Sequence, residues 1–306
     1  MTHLFDIKQL NAKQLDQLFQ KADQIKATPI TETKQWLAGK TAMALFFENS
    51  TRTLMSFQLA AQRLGMDFCA LNLAQSSTQK GETLKDTLLT LNAMQNDVFI
   101  IRHGENGTQK QAASWLDEHA SDNEQANTSV INAGDGTNQH PTQGLLDLYT
   151  IRNHKKDVAT LKVSIIGDIK HSRVAGSLID GLSILGNTNT WIYAPDALLP
   201  ESSTAHKVDS MKQALEASDV VVMLRIQKER IQQLDQDTLD NWHDNFGLNS
   251  ENLKWAKNDA IVMHPGPMNR GVEITSEVAD GEQSVILEQV RNGVLMRSAL
   301  LHYLLD

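Results

Sequence analysis

Short apolar runs alternate along the chain with longer segments in which apolar residues recur every three or four positions. The first such segment is residues 12–25, whose apolar side chains would line one face of a helix. The same spacing predicts helices at residues 52–64, 83–95, 141–152, 173–185, 207–217 and 283–305, the last as one helix or two. The apolar runs predict strands at residues 41–47, 68–73, 97–102, 129–133, 162–168, 190–194, 219–225 and 260–264. The polar stretch 120–129 is predicted to be a surface loop.

Alternation of strand and helix, with strands that are apolar throughout, is typical of parallel sheets covered by helices on both faces. The alternation runs through both halves of the 306-residue chain. We therefore expect an α/β protein with two doubly wound parallel-sheet domains and a cleft between them. Ligands of such sheets bind beyond the carboxyl ends of the strands, so the residues that follow each strand are the candidates for function.

Charge and cysteine content narrow the class of protein. The net charge is -9 and no basic block is present, which argues against a nucleic acid or an anionic membrane as partner. No apolar run approaches the roughly 18 residues of a membrane span, and the first residues do not have the pattern of a signal peptide. With Cys69 as the single cysteine, no disulfide within the chain can form, and we expect a cytoplasmic protein. Cys69 lies in the apolar run 68–73 and is expected to be a small core residue.

The stretch ENSTRT, residues 48–53, follows the first predicted strand. A helix that begins here would offer unpaired backbone N–H groups and a partial positive charge. Ser50, Thr51 and Thr53 add hydroxyl donors, and Arg52 adds a planar guanidinium suited to phosphate oxygens. The pattern fits an anion site, and it fits equally a simple helix cap made by Ser50 with a solvated Arg52.

Other strands of the first half also end in polar or cationic residues. Arg102 ends the strand 97–102, and His140 and Gln143 flank the start of a helix opened by Pro141. Gly134 and Gly136 would permit a tight turn before it. The polar segment 75–83, with Ser76 and Lys80, is either an ordinary solvent loop or a lid that delivers an ammonium group to an anion.

The second half repeats this arrangement. Arg173 follows the strand 162–168, Arg225 and Gln227 end or follow the strand 219–225, and His-Pro-Gly-Pro follows the strand 260–264. One arginine at a strand end is usually solvated, but several such ends in an acidic chain favour a site for anions. Gly167 is followed by Asp-Ile-Lys and not by the further glycines of a dinucleotide site, and no zinc-ligand spacing, GxSxG elbow or Walker loop is present.

Seven segments occur in one order along nearly the whole chain: FFENSTRTLMSF, KGETLKDT, IIRHGENG, NAGDGTNQHPTQGLLDLYTI, GDIKHSR, MLRIQKER and HPGPMNRGVEI. In these segments the chain resembles the aspartate carbamoyltransferases. STRT alone is typical of transcarbamoylases in general, whereas HPTQ with RIQKER is typical of the aspartate branch. The ornithine branch usually places a cysteine in HCLP, where this chain has His264-Pro265-Gly266-Pro267.

The resemblance implies a reaction and a domain organisation. Carbamoyl phosphate and L-aspartate would give N-carbamoyl-L-aspartate and phosphate, an early step of pyrimidine synthesis, without a metal or cofactor. Residues 1–138 with 288–306 would form the carbamoyl-phosphate-binding domain, to which the C-terminal helix returns. Residues 139–287 would form the aspartate-binding domain.

The resemblance also implies roles for single residues. The phosphate would be held by Ser50, Thr51, Arg52 and Thr53. The carbamoyl oxygen would be bound by Arg102 and His140, with help from Thr53. The carbamoyl amino group would donate to Gln143 and to backbone carbonyls of the stretch Pro265, Gly266 and Pro267. The aspartate carboxylates would be bound by Arg173, Arg225 and Gln227. A homotrimer with shared active sites is implied, in which Ser76 and Lys80 enter the site of a neighbouring subunit.

Two alternatives stay open at this point: a transcarbamoylase for another amine such as ornithine, and a non-catalytic subunit. Arg173 and Arg225 favour a dicarboxylate over a cationic substrate, and every phosphate and carbonyl residue named above is present. The sequence leaves open whether regulatory or dihydroorotase-like subunits bind and whether kinetics are cooperative. It also leaves open the role of Arg270, because Met268-Asn269 precede it where some family members have an arginine directly after the second proline.

Overall fold

The computed structural model of the protein describes residues 1–72, 82–124, 126–226 and 236–306. Within these ranges the chain divides into two compact units. The first unit consists of residues 1–145 and 292–306, and the second unit consists of residues 146–291. The chain therefore enters the second unit once and returns to the first, and each unit has its own sheet.

The sheet of the first unit has five strands in its described part, and all of its pairings are parallel. The strands are β1 (His3–Leu4), β2 (Thr41–Phe46), β3 (Asp67–Asn72), β4 (Val98–His103) and β5 (Ser129–Asp135). The helices are α1 (Ala12–Ala27), α2 (Ile30–Thr33), α3 (Thr51–Arg63), α4 (Leu84–Asn92), α5 (Thr108–Asp122), the start of α6 (Pro141–His154) and the end of α13 (Ile286–Leu305).

The strand order of this sheet is β1-β5-β4-β2-β3. From β2 the chain adds β3 on one side, and β4 and then β5 on the other, so the order reverses between β2 and β4. Residues 42–46 of β2 are all buried, as expected for a parallel strand covered on both faces. Phe46 and Arg102 are register partners near the carboxyl ends of β2 and β4. A reversal of this kind leaves a crevice at the carboxyl edge, where doubly wound sheets bind ligands.

The second unit contains another parallel sheet of five described strands, in the order β10-β9-β6-β7-β8. These strands are β6 (Val163–Ile166), β7 (Thr190–Tyr193), β8 (His206–Lys207), β9 (Val220–Met223) and β10 (Ile261–Met263). The helices are the remainder of α6, α7 (Arg173–Ile184), α8 (Met211–Leu215), α9 (Gln236–Asp240), α10 (Trp242–Phe246), α11 (Ser250–Leu253), α12 (Ser276–Ala279) and the start of α13. The order reverses between β6 and β9, so this sheet, like the first, has a strand reversal next to its first inner strand. The predicted fold class is thus confirmed.

Three local predictions differ from the structure. Helix α5 was not predicted, because three of its buried apolar residues are alanines, which give a weak periodic signal. Residues 207–217 do not form one helix: β8 occupies His206–Lys207, and Ser210 caps α8 by accepting from the backbone N–H of Gln213. The predicted loop 120–129 begins later than expected, since α5 continues to Asp122.

The expectation that Cys69 is a core residue is wrong. Its side chain is exposed in the single chain. The reason is the position of β3 at the end of the strand order, next to β2 alone. An apolar run on such an outer strand does not acquire the two-sided cover that an inner strand has.

Helix α13 is a single helix, and at 20 residues it is the longest of the described helices. Among the described residues, no helix combines the length and the apolar composition needed to cross a membrane. The last turns of α13 pack in the first unit, where the His302 ring and the Trp36 ring meet edge to face with 5.1 Å between their centroids. Lys21 lies over the same indole at 5.2 Å, and Asp306 lies 3.6 Å from His302 Nδ1. Burial, and secondarily the Lys21 charge, lower the pKa of His302, while Asp306 opposes the shift.

This lowered pKa predicts a loss of stability in mild acid. An unfolded histidine has a pKa of about 6.5, so below that pH the unfolded chain takes up a proton that the folded protein resists. The stabilisation is complete above the unfolded pKa and is lost as the pH falls through the folded pKa. We expect the Tm to fall more steeply between about pH 7 and about pH 5 for the wild type than for a His302→Gln variant. Parallel Tm profiles for the two proteins would show that His302 does not contribute.

Candidate active site

The amino-terminal end of α3 is the first element of the site. Ser50 occupies the N-cap position, with φ -156° and ψ 84°, but in the described structure its hydroxyl makes no capping hydrogen bond. The first turn contains no acidic residue, Thr53 is buried, and Thr51 and Arg52 are exposed. The simple helix-cap interpretation is therefore wrong for Ser50. A helix start with hydroxyl and guanidinium groups remains, and this is the chemistry of an anion site.

Arg102 lies near the carboxyl end of β4, on the other side of the strand reversal. Its Nη1 donates to the carbonyl oxygen of Ala133 at 3.1 Å, and its Nε lies 3.4 Å from Glu48 Oε2. The β4–β5 register shifts between Ile101 and His103, where one residue of β4 faces two residues of β5. Arg102 is thus held from both sides at the edge of the sheet. Sequence reasoning missed Glu48, because an acid in a loop gives no sign of its partner.

The turn between β5 and α6 presents His140. Asp135 fixes this turn: its Oδ1 accepts from the Gly107 backbone N–H at 2.8 Å and its Oδ2 from Asn138 Nδ2 at 3.0 Å. The predicted tight turn is confirmed, since Gly136 has φ +50°. A Cβ at Gly136 would meet the Asn106 side chain, and the positive φ disfavours other residues, so glycine is favoured there.

His140 itself forms the start of α6. Its carbonyl oxygen accepts from the backbone N–H groups of Gln143 at 2.9 Å and Gly144 at 3.2 Å. The imidazole is buried at 4% exposure, with Nδ1 3.4 Å from the Thr142 hydroxyl. Gln143 is partly exposed in the first turn of the helix. Both residues therefore lie beyond the carboxyl end of β5, the neighbour of β4.

In the second unit, Arg173 and Arg225 follow the two strands that flank the reversal of strand order. Arg173 is the first residue of α7, and Ser172 caps this helix by accepting from the Ala175 backbone N–H at 3.2 Å. Arg225 lies two residues beyond the end of β9 and is partly exposed. The strands β6 and β9 are direct neighbours, with Ile166 opposite Met223. Two guanidinium groups are thus placed at the edge where a doubly wound sheet binds its ligand.

The loop 265–267 follows β10, the neighbour of β9. Pro265 and Gly266 are partly exposed, and Pro267 is exposed. Arg270 binds the exposed Asp280 through both terminal nitrogens, at 2.6 and 2.7 Å. The hydrogen bonds raise the pKa of Arg270 and lower the pKa of Asp280. The guanidinium of Arg270 is therefore engaged within the second unit. Three predicted site residues, Ser76, Lys80 and Gln227, lie outside the described residues.

The two sheets and their edges define a two-unit α/β protein that carries candidate anion-binding groups at both strand reversals. Comparison with known families gives this class a name. The carbamoyl-phosphate-binding domain of the aspartate/ornithine carbamoyltransferases matches residues 2–153, and their aspartate/ornithine-binding domain matches residues 159–304. The chain belongs to the aspartate/ornithine carbamoyltransferase family.

Individual relatives agree with this assignment. The aspartate carbamoyltransferase catalytic subunit of Chelativorans sp. is 47% identical, over 99% of this chain and 93% of its own length. The Legionella pneumophila (strain Lens) catalytic subunit is 45% identical over 100% of this chain and 99% of its own. Among solved structures, Trypanosoma cruzi aspartate transcarbamoylase with carbamoyl phosphate and aspartate has a TM-score of 0.87 at 29% identity, covering 100% and 97% of the two chains. The M. Jannaschii catalytic subunit has a TM-score of 0.86 at 30% identity, covering 99% and 98%.

Proposed function

We propose that this protein transfers the carbamoyl group of carbamoyl phosphate to the amino group of L-aspartate, a step of pyrimidine synthesis. The observation that carries the proposal is the same in both units. Residues suited to anions lie at or beyond the carboxyl ends of the two strands at which the strand order reverses: residues 50–53 and Arg102 in the first sheet, Arg173 and Arg225 in the second. Carbamoyl phosphate has one phosphate group and aspartate has two carboxylates, so this charge pattern matches the pair of substrates.

The first unit is proposed to bind carbamoyl phosphate. The start of α3 would hold the phosphate through backbone N–H groups, the hydroxyls of Ser50 and Thr51, and Arg52. Arg102 and His140, with Thr53, would donate to the carbamoyl oxygen. Each well-placed donor of this kind typically lowers the barrier by about 3 kcal/mol, because negative charge develops on that oxygen in the transition state.

The chemical step needs no covalent intermediate with the protein. The aspartate amine attacks the carbamoyl carbon, a C–N bond forms, and the C–O bond to phosphate breaks. The departing phosphate accepts the proton that the amine loses. Two anionic substrates repel each other, and the arginines at both sheet edges, together with Lys80, would offset that repulsion.

Domain roles, assembly and compartment belong to the same proposal. Residues 1–138 with 288–306 would bind carbamoyl phosphate, and residues 139–287 would bind aspartate, with Gln143 and the loop 265–267 accepting from the carbamoyl amino group. Gln227 would add a donor for a carboxylate of aspartate. We propose a cytoplasmic homotrimer in which Ser76 and Lys80 complete the site of a neighbouring subunit.

A direct assay tests the function. Purified protein is supplied with carbamoyl phosphate and either L-aspartate or L-ornithine, and the carbamoylated product is measured. We expect kcat/KM for aspartate to exceed that for ornithine by about 10³-fold or more, because ornithine has one carboxylate where aspartate has two and would bring an ammonium group beside the guanidinium groups of Arg173 and Arg225. Equal use of the two amines, or no carbamoyl product with either, would contradict the proposal.

A further inference from the structure

We propose that His264 and Glu273 are positioning residues that aim the peptide group between Pro265 and Gly266 at the amino group of the carbamoyl substrate. The inference rests on the proposed function, because that function assigns the substrate contact to the loop 265–267. Neither His264 nor Glu273 is among the residues predicted to touch substrate. Both are buried in the second unit, at 2% and 0% exposure.

The hydrogen bonds of His264 fix which ring nitrogen carries the proton. Nδ1 accepts from the Gly266 backbone N–H at 2.8 Å. An amide nitrogen of the backbone can only donate, so Nδ1 has no proton. The proton is therefore on Nε2, which lies 3.2 Å from Glu273 Oε1 and donates to that carboxylate. Glu273 thus selects the tautomer of His264 that can bind Gly266.

The bond to Gly266 determines where the Pro265 carbonyl points. The Pro265 carbonyl and the Gly266 N–H belong to one planar trans peptide group, in which the two bonds point in opposite directions. With the N–H held against the imidazole, the carbonyl oxygen must point away from it. Gly266 has φ +66°, a backbone conformation that glycine adopts without strain, so the residue at this position suits the turn that follows the peptide.

Glu273 also binds the backbone on the far side of the loop 265–267. Its Oε1 accepts from the Asn269 backbone N–H at 2.5 Å, in addition to His264. A single buried carboxylate oxygen therefore joins His264, directly before the loop 265–267, to Asn269, two residues after it. A buried carboxylate is costly unless its donors stay in place, which favours one conformation of the loop.

The start of the loop is fixed by a second buried contact. Gln289 of α13 accepts from the His264 backbone N–H through Oε1 at 2.9 Å. Its Nε2 donates to Asp147 Oδ1 of α6 at 2.8 Å. Both residues are buried, at 2% and 0% exposure. His264 is thus held through its backbone N–H as well as through both ring nitrogens, as a positioning role requires.

Two substitutions at His264 separate its two contacts. The oxygen of an asparagine side chain lies near the place of Nδ1 and can accept from Gly266, whereas the longer glutamine reaches the place of Nε2 and can bind Glu273. We expect His264→Asn to preserve the orientation of the Pro265 carbonyl, because the bond to Gly266 is kept. We expect the same variant to be less stable than the wild type, because Glu273 loses a donor. We expect His264→Gln to be the more stable variant and to have a kcat/KM about tenfold below that of His264→Asn, the effect of one lost hydrogen bond.

The readouts are kcat, KM for carbamoyl phosphate, Tm, and the inhibition constant of inorganic phosphate, which probes residues 50–53 alone. We expect His264→Gln to have the higher Tm and His264→Asn the higher kcat/KM. The inhibition constant of phosphate should be the same in both variants. Equal kcat/KM values, or kcat/KM that follows Tm, would overturn it, since a purely structural role predicts that order.

A second pair covers the case in which a His264 variant does not fold. Glu273→Gln keeps an acceptor oxygen for His264 and Asn269 and should stay within about threefold of wild-type kcat/KM. Glu273→Leu removes the acceptor and should lower kcat/KM by about tenfold or more at a temperature where it is folded. Equal activity of these two would overturn the proposal. A wild type that transfers no carbamoyl group would defeat the proposed function as well, whereas an active wild type with the wrong variant order defeats only this inference.

Discussion

Replacing Arg52 by alanine is expected to lower kcat/KM for carbamoyl phosphate by about 10³-fold or more, because the phosphate loses a charge-assisted, two-point hydrogen-bond partner. The start of α3 supports this expectation. The Ser50 hydroxyl, at the N-cap position, makes no capping hydrogen bond in the described structure, and no acidic residue occurs in the first turn of α3. The measurement is steady-state carbamoyl transfer to aspartate, with the Tm determined in parallel.

Arg63 provides the matched control for this variant. It is the basic residue of the last turn of the same helix, at the opposite end from the proposed phosphate site. Arg63→Ala removes the same charge from α3 and is expected to leave kcat/KM unchanged. Near-wild-type turnover of Arg52→Ala, or an equal loss in both variants, would count against a phosphate site at this helix end.

Two inactive variants are expected to restore activity when their subunits are mixed. In a shared site, Arg52 comes from one chain and Lys80 from its neighbour. Lys80→Ala chains supply an intact Arg52, and Arg52→Ala chains supply an intact Lys80. With random exchange in a trimer, a site contains both intact residues in about a quarter of cases, so recovery should approach about a quarter of wild-type activity.

The controls for mixing are the two variants alone, which should each stay inactive, and differently tagged chains that verify exchange. Absence of recovery after verified exchange would refute the shared site. Lys80 lies outside the described residues, so this prediction depends on the sequence resemblance and on the trimer of the proposed function. It also requires that Arg52→Ala is inactive by itself, which the first prediction states.

The sheets were predictable because burial on both faces makes a parallel strand apolar at every position, as in β2. Two features were not predictable: a helix whose buried face consists mainly of small residues, and an exposure that depends on the position of a strand in its sheet. Helix α5 buries Ala112, Ala113 and Ala120, which resemble neutral positions in the sequence. The exposure of Cys69 depends on β3 being the outer strand, and no local pattern specifies strand order.

The candidate site was predictable as far as it consists of residues at strand ends. Arg102, Arg173 and Arg225 lie at the carboxyl edges where the alternation of strand and helix placed them. Their supporting contacts were not predictable, because these contacts depend on how loops fold back. The pairs Glu48 with Arg102 and His264 with Glu273 join residues from separate segments of the chain, and a sequence shows only that acids and bases are present.

The outer position of β3 has a practical consequence. Cys69 is the single sulfhydryl of the chain and is exposed in the subunit, opposite Met43 in the β2–β3 register. A maleimide dye or a nitroxide could be attached there without mutating any other residue. Such a reporter would sit eleven positions before Lys80 in the chain, and its signal would show whether added substrate alters the surroundings of β3.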